Sequence, residues 1–71
     1  MILIPIAIST NLRAAGYDAS ANTMRIEFAN GGLYAYYNIP IGLYHELADG
    51  GPNPWTRTNS RIRQYPYKKI G

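Results

Sequence analysis

Alternation of apolar and polar positions organises the chain from Ile2 to Tyr36. Ile2, Ile4, Ile6 and Ile8 stand at strict period two, the repeat of an extended strand with one apolar face. Pro5 cannot donate to a strand ladder, so residues 1–8 are expected as an edge strand or an apolar arm. Such a row either covers the domain's own core or packs against a neighbouring chain. Leu12 to Tyr17 reads as a second strand, ending at the turn-rich run Asp18-Ala19-Ser20-Ala21-Asn22, where Asp18 is expected to fix the turn. Thr23 to Phe28 alternates cleanly, with Met24, Ile26 and Phe28 on one face and Thr23, Arg25 and Glu27 on the other. Asn30-Gly31-Gly32 then supplies a hairpin turn, and Leu33 to Asn38 returns as the partner strand.

The period changes after Asn38. Asn38 is a candidate helix cap and Pro40 suits a first helical turn. Leu43, Tyr44, Leu47 and Ala48 then form a helical apolar face, stopped by Asp49-Gly50-Gly51-Pro52. Asn53-Pro54 repeats the cap-and-proline start, and Trp55, Ile62 and Tyr65 recur at roughly helical spacing until Pro66. Thr56, Thr58, Asn59 and Ser60 are weak helix formers, which counts against this second helix.

The hairpin leaves two registers open. With a two-residue turn, Phe28 pairs with Leu33 and Ile26 with Ala35; Tyr34 and Tyr36 then face outward beside Glu27 and Arg25 as an aromatic platform. With a three-residue loop, Phe28 pairs with Tyr34 and Ile26 with Tyr36, and both tyrosines join the core.

Composition narrows the function classes. Seventy-one residues make one small domain, marginal in stability because so little surface is buried at this size. The absence of cysteine excludes a disulfide framework, a thiolate metal site and a thiol nucleophile. The single histidine, His45, joins Glu46 and Asp49 in the one ligand-like cluster, and two ligands on a short helix do not make a metal site. No catalytic constellation, metal or cofactor is expected, and the chain is read as a non-enzyme. Oligomerisation is the staple left to a chain of this size. A chain so small would place any enclosed pocket between subunits. The apolar N-terminal run is too short to span a bilayer and carries no preceding basic residues, so a cytoplasmic protein without a membrane is expected.

Charge is split along the chain. Residues 1–54 carry two basic and four acidic residues, a net of −2, whereas residues 55–71 carry five basic residues and no acid. A basic tail on an acidic body points to an anionic partner, and the modest total of +3 fits a small or short ligand better than an extended duplex.

Gly16-Tyr17-Asp18, Met24-Arg25-Ile26-Glu27-Phe28 and the run Asn30-Gly31-Gly32-Leu33-Tyr34-Ala35-Tyr36-Tyr37-Asn38-Ile39-Pro40 together resemble the KTSC domain. That domain is named for the C-terminus of some lysyl-tRNA synthetases and also occurs as a small stand-alone bacterial or phage protein. Its Tyr-x-Tyr followed by a hydrophobic residue and Pro is matched by Tyr34, Tyr36, Ile39 and Pro40, and its ending by Ile62, Tyr65, Pro66 and Tyr67. The resemblance spans about residues 9–67. It implies an antiparallel β-meander followed by helices, an RNA-binding role, and tyrosines turned inward. Asp49-Gly50-Gly51-Pro52-Asn53-Pro54-Trp55 replaces the family's Ser-x-Gly-x-aromatic segment, so a ligand touched by that loop would differ here.

The expected fold is therefore α+β, a single domain with an apolar N-terminal strand or arm (1–8), a β-meander of three to four strands (9–39) and a helical, basic part (40–71) carrying one or two helices. On a helix, Arg57, Arg61, Gln64 and Lys68 would share one stripe, with Arg63, Tyr65 and Tyr67 beside it and Trp55 turned to the body. Phosphate donors beside stacking rings suit a nucleotide or a single-stranded nucleic acid, held by these residues together with Tyr34 and Tyr36. The competing expectation is a protein-interaction module, an inhibitor or accessory subunit anchored by Ile2, Ile4, Ile6, Trp55 and exposed tyrosines.

Overall fold

The alternating segments form one antiparallel sheet whose strands β1 (Ile4–Pro5), β2 (Leu12–Asp18), β3 (Thr23–Phe28), β4 (Leu33–Tyr36) and β5 (Tyr67–Lys69) lie side by side in chain order. Helices α1 (Ile41–Ala48) and α2 (Pro54–Ile62) intervene between β4 and β5. The computed structural model describes residues 3–6, 11–49, 51 and 53–71. The expectations for Ile2, Ile8, Gly50 and Pro52 lie outside the described residues. The α+β class and the meander are as expected. The fifth strand is not, and it arises where a helix was anticipated.

Each turn has a local cause. Asp18 Oδ1 accepts from the Ser20 hydroxyl at 2.6 Å and the Ser20 amide at 3.0 Å, and Asn22 takes a left-handed φ of 50°. Asparagine tolerates that conformation better than other residues with a side chain. In the second hairpin the loop is Ala29–Gly31: the Gly31 amide donates to the Phe28 carbonyl at 2.9 Å and the Phe28 amide to the Gly32 carbonyl at 2.8 Å. Gly31 has φ 95°, the left-handed residue that a three-residue hairpin loop requires.

That loop decides the register. Ile26 pairs with Tyr34 and Met24 with Tyr36, neither of the two pairings anticipated. The turn begins one residue earlier than Asn30, which shifts every partner. The shift from the three-residue alternative is an even number of positions, so Tyr34 and Tyr36 still share the inner face with Met24 and Ile26. The outward platform is thereby excluded.

The core lies between that inner face and the two helices. Leu12, Ala15, Met24, Ile26 and Tyr36 from the sheet meet Ile39, Leu43, Leu47 and Ile62, all buried. A bulge between Leu12 and Ala14 keeps Leu12 in line with Phe28 while Ala15 stays opposite Ile26. Burying each such aliphatic side chain is worth about 1.5–3 kcal/mol, set against the entropy of ordering the chain.

The helices start differently from the caps read in the sequence. Pro40 itself takes the N-cap position of α1, and Asn38 sits two residues earlier with φ 59°. At α2, Asn53 is the N-cap residue but is left-handed, φ 51°, and makes no side-chain capping bond; Pro54 opens the first turn. The weak helix formers are accommodated by back-bonding. The buried Thr58 hydroxyl donates to the Pro54 carbonyl at 2.7 Å, and Asn59 Nδ2 to the Trp55 carbonyl at 2.8 Å.

Helix α2 stops at Ile62, so the anticipated stripe of Arg57, Arg61, Gln64 and Lys68 does not exist. Pro66 disfavours helix for the residue before it, and its carbonyl accepts from the Tyr37 amide at 2.8 Å. The chain then pairs Tyr67 with Tyr36, Ala35 with Lys68 and Tyr34 with Lys69. Residues 67–69 satisfy the open edge of β4, and two lysines guard the new edge against further pairing.

Candidate functional site

The inner face of β4 is more aromatic than the helices can cover. Helix α2 runs alongside it, with Trp55 beside Phe28 near the β3–β4 turn and Arg63 near Tyr36 at the other end. A helical rise of about 1.5 Å per residue separates Trp55 from Arg63 by roughly 12 Å. Between them opens a cavity of about 400 Å³ lined by Phe28, Asn30, Tyr34, Tyr36, Trp55, Arg63 and Tyr67. Cavities of about 300–1,000 Å³ are those that take small ligands. One chain lines this open groove by itself.

Its walls are a connected set of rings. Phe28 stands edge-on to both Trp55 (5.0 Å between centroids) and Tyr34 (5.5 Å). Tyr36 and Tyr67, opposite one another on neighbouring strands, lie 5.6 Å apart with ring planes inclined by 33°. Tyr67 is 59% exposed and Tyr36 only 5%, so the pair grades from solvent into the core. Burial, and next the neighbouring Tyr34 and Tyr67 phenols, push the Tyr36 hydroxyl above its ordinary pKa, with Arg63 pulling the other way. Tyr36 is therefore a neutral hydroxyl near pH 7. Arg63 is held at the C-cap of α2, its amide donating to the Asn59 carbonyl at 2.9 Å. Its guanidinium forms no ion pair among the described residues.

The other arginines of the tail face away from this groove. Arg61 makes a two-pronged pair with Glu46, Nη1 to Oε2 and Nη2 to Oε1, both 2.8 Å. Arg57 Nη2 reaches Asp49 Oδ1 at 3.1 Å and the Glu46 carbonyl at 3.4 Å. These contacts clamp α2 to α1. Glu46 is held below its ordinary pKa chiefly by the Arg61 hydrogen bond, and Asp49 chiefly by the Gly51 amide at 2.7 Å and then by Arg57. A Cβ at Gly51 would stand 3.0 Å from both Arg57 Nη2 and Asp49 Oδ1, so the glycine lets this loop close on the arginine. The chain's distinctive 49–55 segment thus serves the helix pair at its start and contributes Trp55 to the groove at its end.

Of the residues singled out in the sequence, Tyr34, Tyr36, Trp55, Arg63 and Tyr67 converge. Tyr65 lines a separate cavity of about 350 Å³ with Arg61, Gln64 and Glu46. Lys68 sits on β5 opposite Ala35, on the outer face of the sheet. Phe28 and Asn30 belong to the groove and were missed as site residues. Their place at the turn, Phe28 just before the loop and Asn30 within it, was the available signal, since a hairpin tip on an aromatic strand projects beside its rings. His45 is exposed against the Tyr44 ring, and no group of three metal-ligating side chains occurs among the described residues. The exposed apolar residues Ile4 and Ile70 lie by opposite edges of the sheet, β1 and β5, and do not form one patch. No helix among the described residues is long and apolar enough to cross a membrane.

Five antiparallel strands with two helices on one face, leaving an aromatic groove at one margin, define a small α+β domain. The family model of the KTSC domain matches residues 8–67, and the chain belongs to that family. A crystal structure of a KTSC domain protein from Yersinia pestis has the same fold, with a TM-score of 0.88 at 21% identity, covering 99% of this chain and 97% of that one. No curated protein matches the chain.

Proposed function

We propose that this protein is a non-enzymatic binding module for a phosphate-bearing ligand with a planar base, a small nucleotide or a short single strand of RNA or DNA. The observation that carries the reading is the groove itself, with stacking rings along its length and an unpaired guanidinium at one end. Rings accept any base by stacking, and arginine supplies a planar fork for phosphate. The contact residues are Tyr34, Tyr36, Trp55, Tyr67 and Arg63, joined by Phe28; Arg57 and Arg61 serve the helix clamp instead. Sequestration of a nucleotide signal in the cytoplasm suits a chain with such a groove, and the exposed Ile4 on edge strand β1 favours a homo-oligomer.

Titration calorimetry against 5′-mononucleotides, cyclic nucleotides and short RNAs at low salt tests the proposal. A single charge-assisted contact is worth about tenfold or more in affinity, so Arg63→Ala should weaken the best ligand by at least that factor. Failure of every nucleotide and RNA to bind would overturn it.

A further inference from the structure

The groove does not end at Trp55. Beside it lies a second cavity of about 310 Å³, lined by Asn11, Phe28, Ala29, Asn30 and Trp55. Phe28, Asn30 and Trp55 also line the first cavity, so the two are lobes of one depression that meet at these residues. Both volumes fall in the range that takes small ligands.

The lobes differ in chemistry. The first holds Arg63, the one charged side chain on either lining among the described residues. The second offers aromatic rings and the amide side chains of Asn11 and Asn30, groups that both donate and accept. Such a lining suits the neutral face and polar edge of a base better than a phosphate. The four carboxylate side chains of the chain are engaged elsewhere: Asp18 with Ser20, Glu27 with Arg13, Glu46 with Arg61 and Asp49 with Arg57. A nucleic-acid backbone passing from one lobe to the other therefore meets no acid on either lining.

The second lobe is also held in shape. The Ala29 amide donates to the Asn11 carbonyl at 2.8 Å, and Arg13 Nη2 donates to the Ala29 carbonyl at 3.2 Å. The hairpin tip is thus tied to the start of β2. The Trp55 carbonyl accepts from Asn59 Nδ2 at 2.8 Å, and the Trp55 ring stands edge-on to Phe28. Walls fixed in advance lose little freedom when a ligand enters.

We infer that the second lobe is a second base site, so that the ligand of this groove is a strand of at least two nucleotides rather than a mononucleotide. The inference rests on the reading of the groove as a nucleotide site. One nucleotide occupies the first lobe with its phosphate at Arg63, and the next base enters the second lobe against Trp55. Rings that line both lobes serve stacking whatever the base.

Adenosine 5′-monophosphate, adenosine 3′,5′-bisphosphate and 5′-phosphorylated diadenylate are the probes: one base with one phosphate, one base with two, and two bases with two. Titration calorimetry on the full chain should show the diadenylate binding about tenfold or more tighter than either single-base probe, the worth of one further stacked base. Trp55 is the chain's single tryptophan, and the diadenylate should quench its fluorescence more deeply at saturation than the others do. Ala29 is exposed in the turn and lines the second lobe but not the first. Ala29→Glu puts a longer, acidic side chain there. With an unchanged melting temperature, it should remove the advantage of the diadenylate and leave the monophosphate within about twofold. Equal binding of the diadenylate and the bisphosphate, an advantage that survives Ala29→Glu, or equal weakening of all three probes by it would overturn the second base site and leave the nucleotide site standing. If none of the three binds and no other member of the panel does, the underlying reading fails with it.

Discussion

The Tyr17 hydroxyl donates to the Ile39 carbonyl at 2.6 Å, joining the second strand to the connection between β4 and α1. Ile39 is fully buried and its amide donates to the Asn22 carbonyl at 2.8 Å, so this residue is fixed through side chain, N–H and C=O together. The Tyr17 ring also stacks on Tyr44 of α1, 5.3 Å between centroids. Removing only the hydroxyl, by Tyr17→Phe, strands a half-buried carbonyl while keeping the ring. Urea denaturation should show a loss of about 1–2 kcal/mol with little change in the slope against denaturant.

Ile62 closes α2 onto the sheet with no exposed surface. Ile62→Ala should cost about 2–5 kcal/mol, comparable to the whole stability of a domain of this size. The substituted chain should be largely unfolded at 25 °C by circular dichroism. Ile62→Val should stay folded and lose about 0.5–1.5 kcal/mol.

Arg61 and Arg63 are two residues apart and predict opposite phenotypes. Arg61→Ala breaks the two-pronged pair with Glu46 and should lower the melting temperature by a few degrees, less at high salt, because both side chains are about half exposed. Ligand affinity should stay within about twofold, since the pair lies away from the groove. Arg63→Ala should leave the melting temperature unchanged while weakening nucleotide binding. Calorimetry and thermal scans on the two proteins separate these outcomes.

Acid should destabilise the fold below the ordinary carboxylate range. Asp18 is held low by the Ser20 hydroxyl and amide, Glu46 by Arg61, and Asp49 by the Gly51 amide and Arg57. Carboxylates with a depressed folded pKa contribute stability that is full above their unfolded values, near 3.9–4.3, and is lost as pH falls through the folded ones. Melting temperature should be flat from pH 7 to about 5 and fall steadily below pH 4. Glu46→Gln should remove part of that fall, and an unchanged profile in this variant would show that its pair with Arg61 contributes nothing.

The strands were legible because period-two alternation on Met24, Ile26 and Phe28 states which side of a sheet is buried, whatever the neighbours are. The α1 face was legible for the same reason, from Leu43 and Leu47. Strand β5 was not. Tyr67-Lys68-Lys69 is too short and too polar to alternate convincingly, and it becomes a strand because β4 offers an unpaired edge. The fates of the arginines were equally hidden: Arg57, Arg61 and Arg63 are chemically identical, and only the packing of α2 on α1 turns two of them toward carboxylates.

What the sequence by itself determined was the α+β class, the family, and the accumulation of tyrosine, tryptophan and basic residues toward the second half. Such properties depend on local period and composition, which need no partner across space. The tertiary structure alone decided that Tyr34, Tyr36, Trp55 and Tyr67 share a groove with Arg63 and Asn30. Those residues come from a turn, two strands and both ends of a helix, and strand register, set by where one three-residue loop begins, is what brings them together.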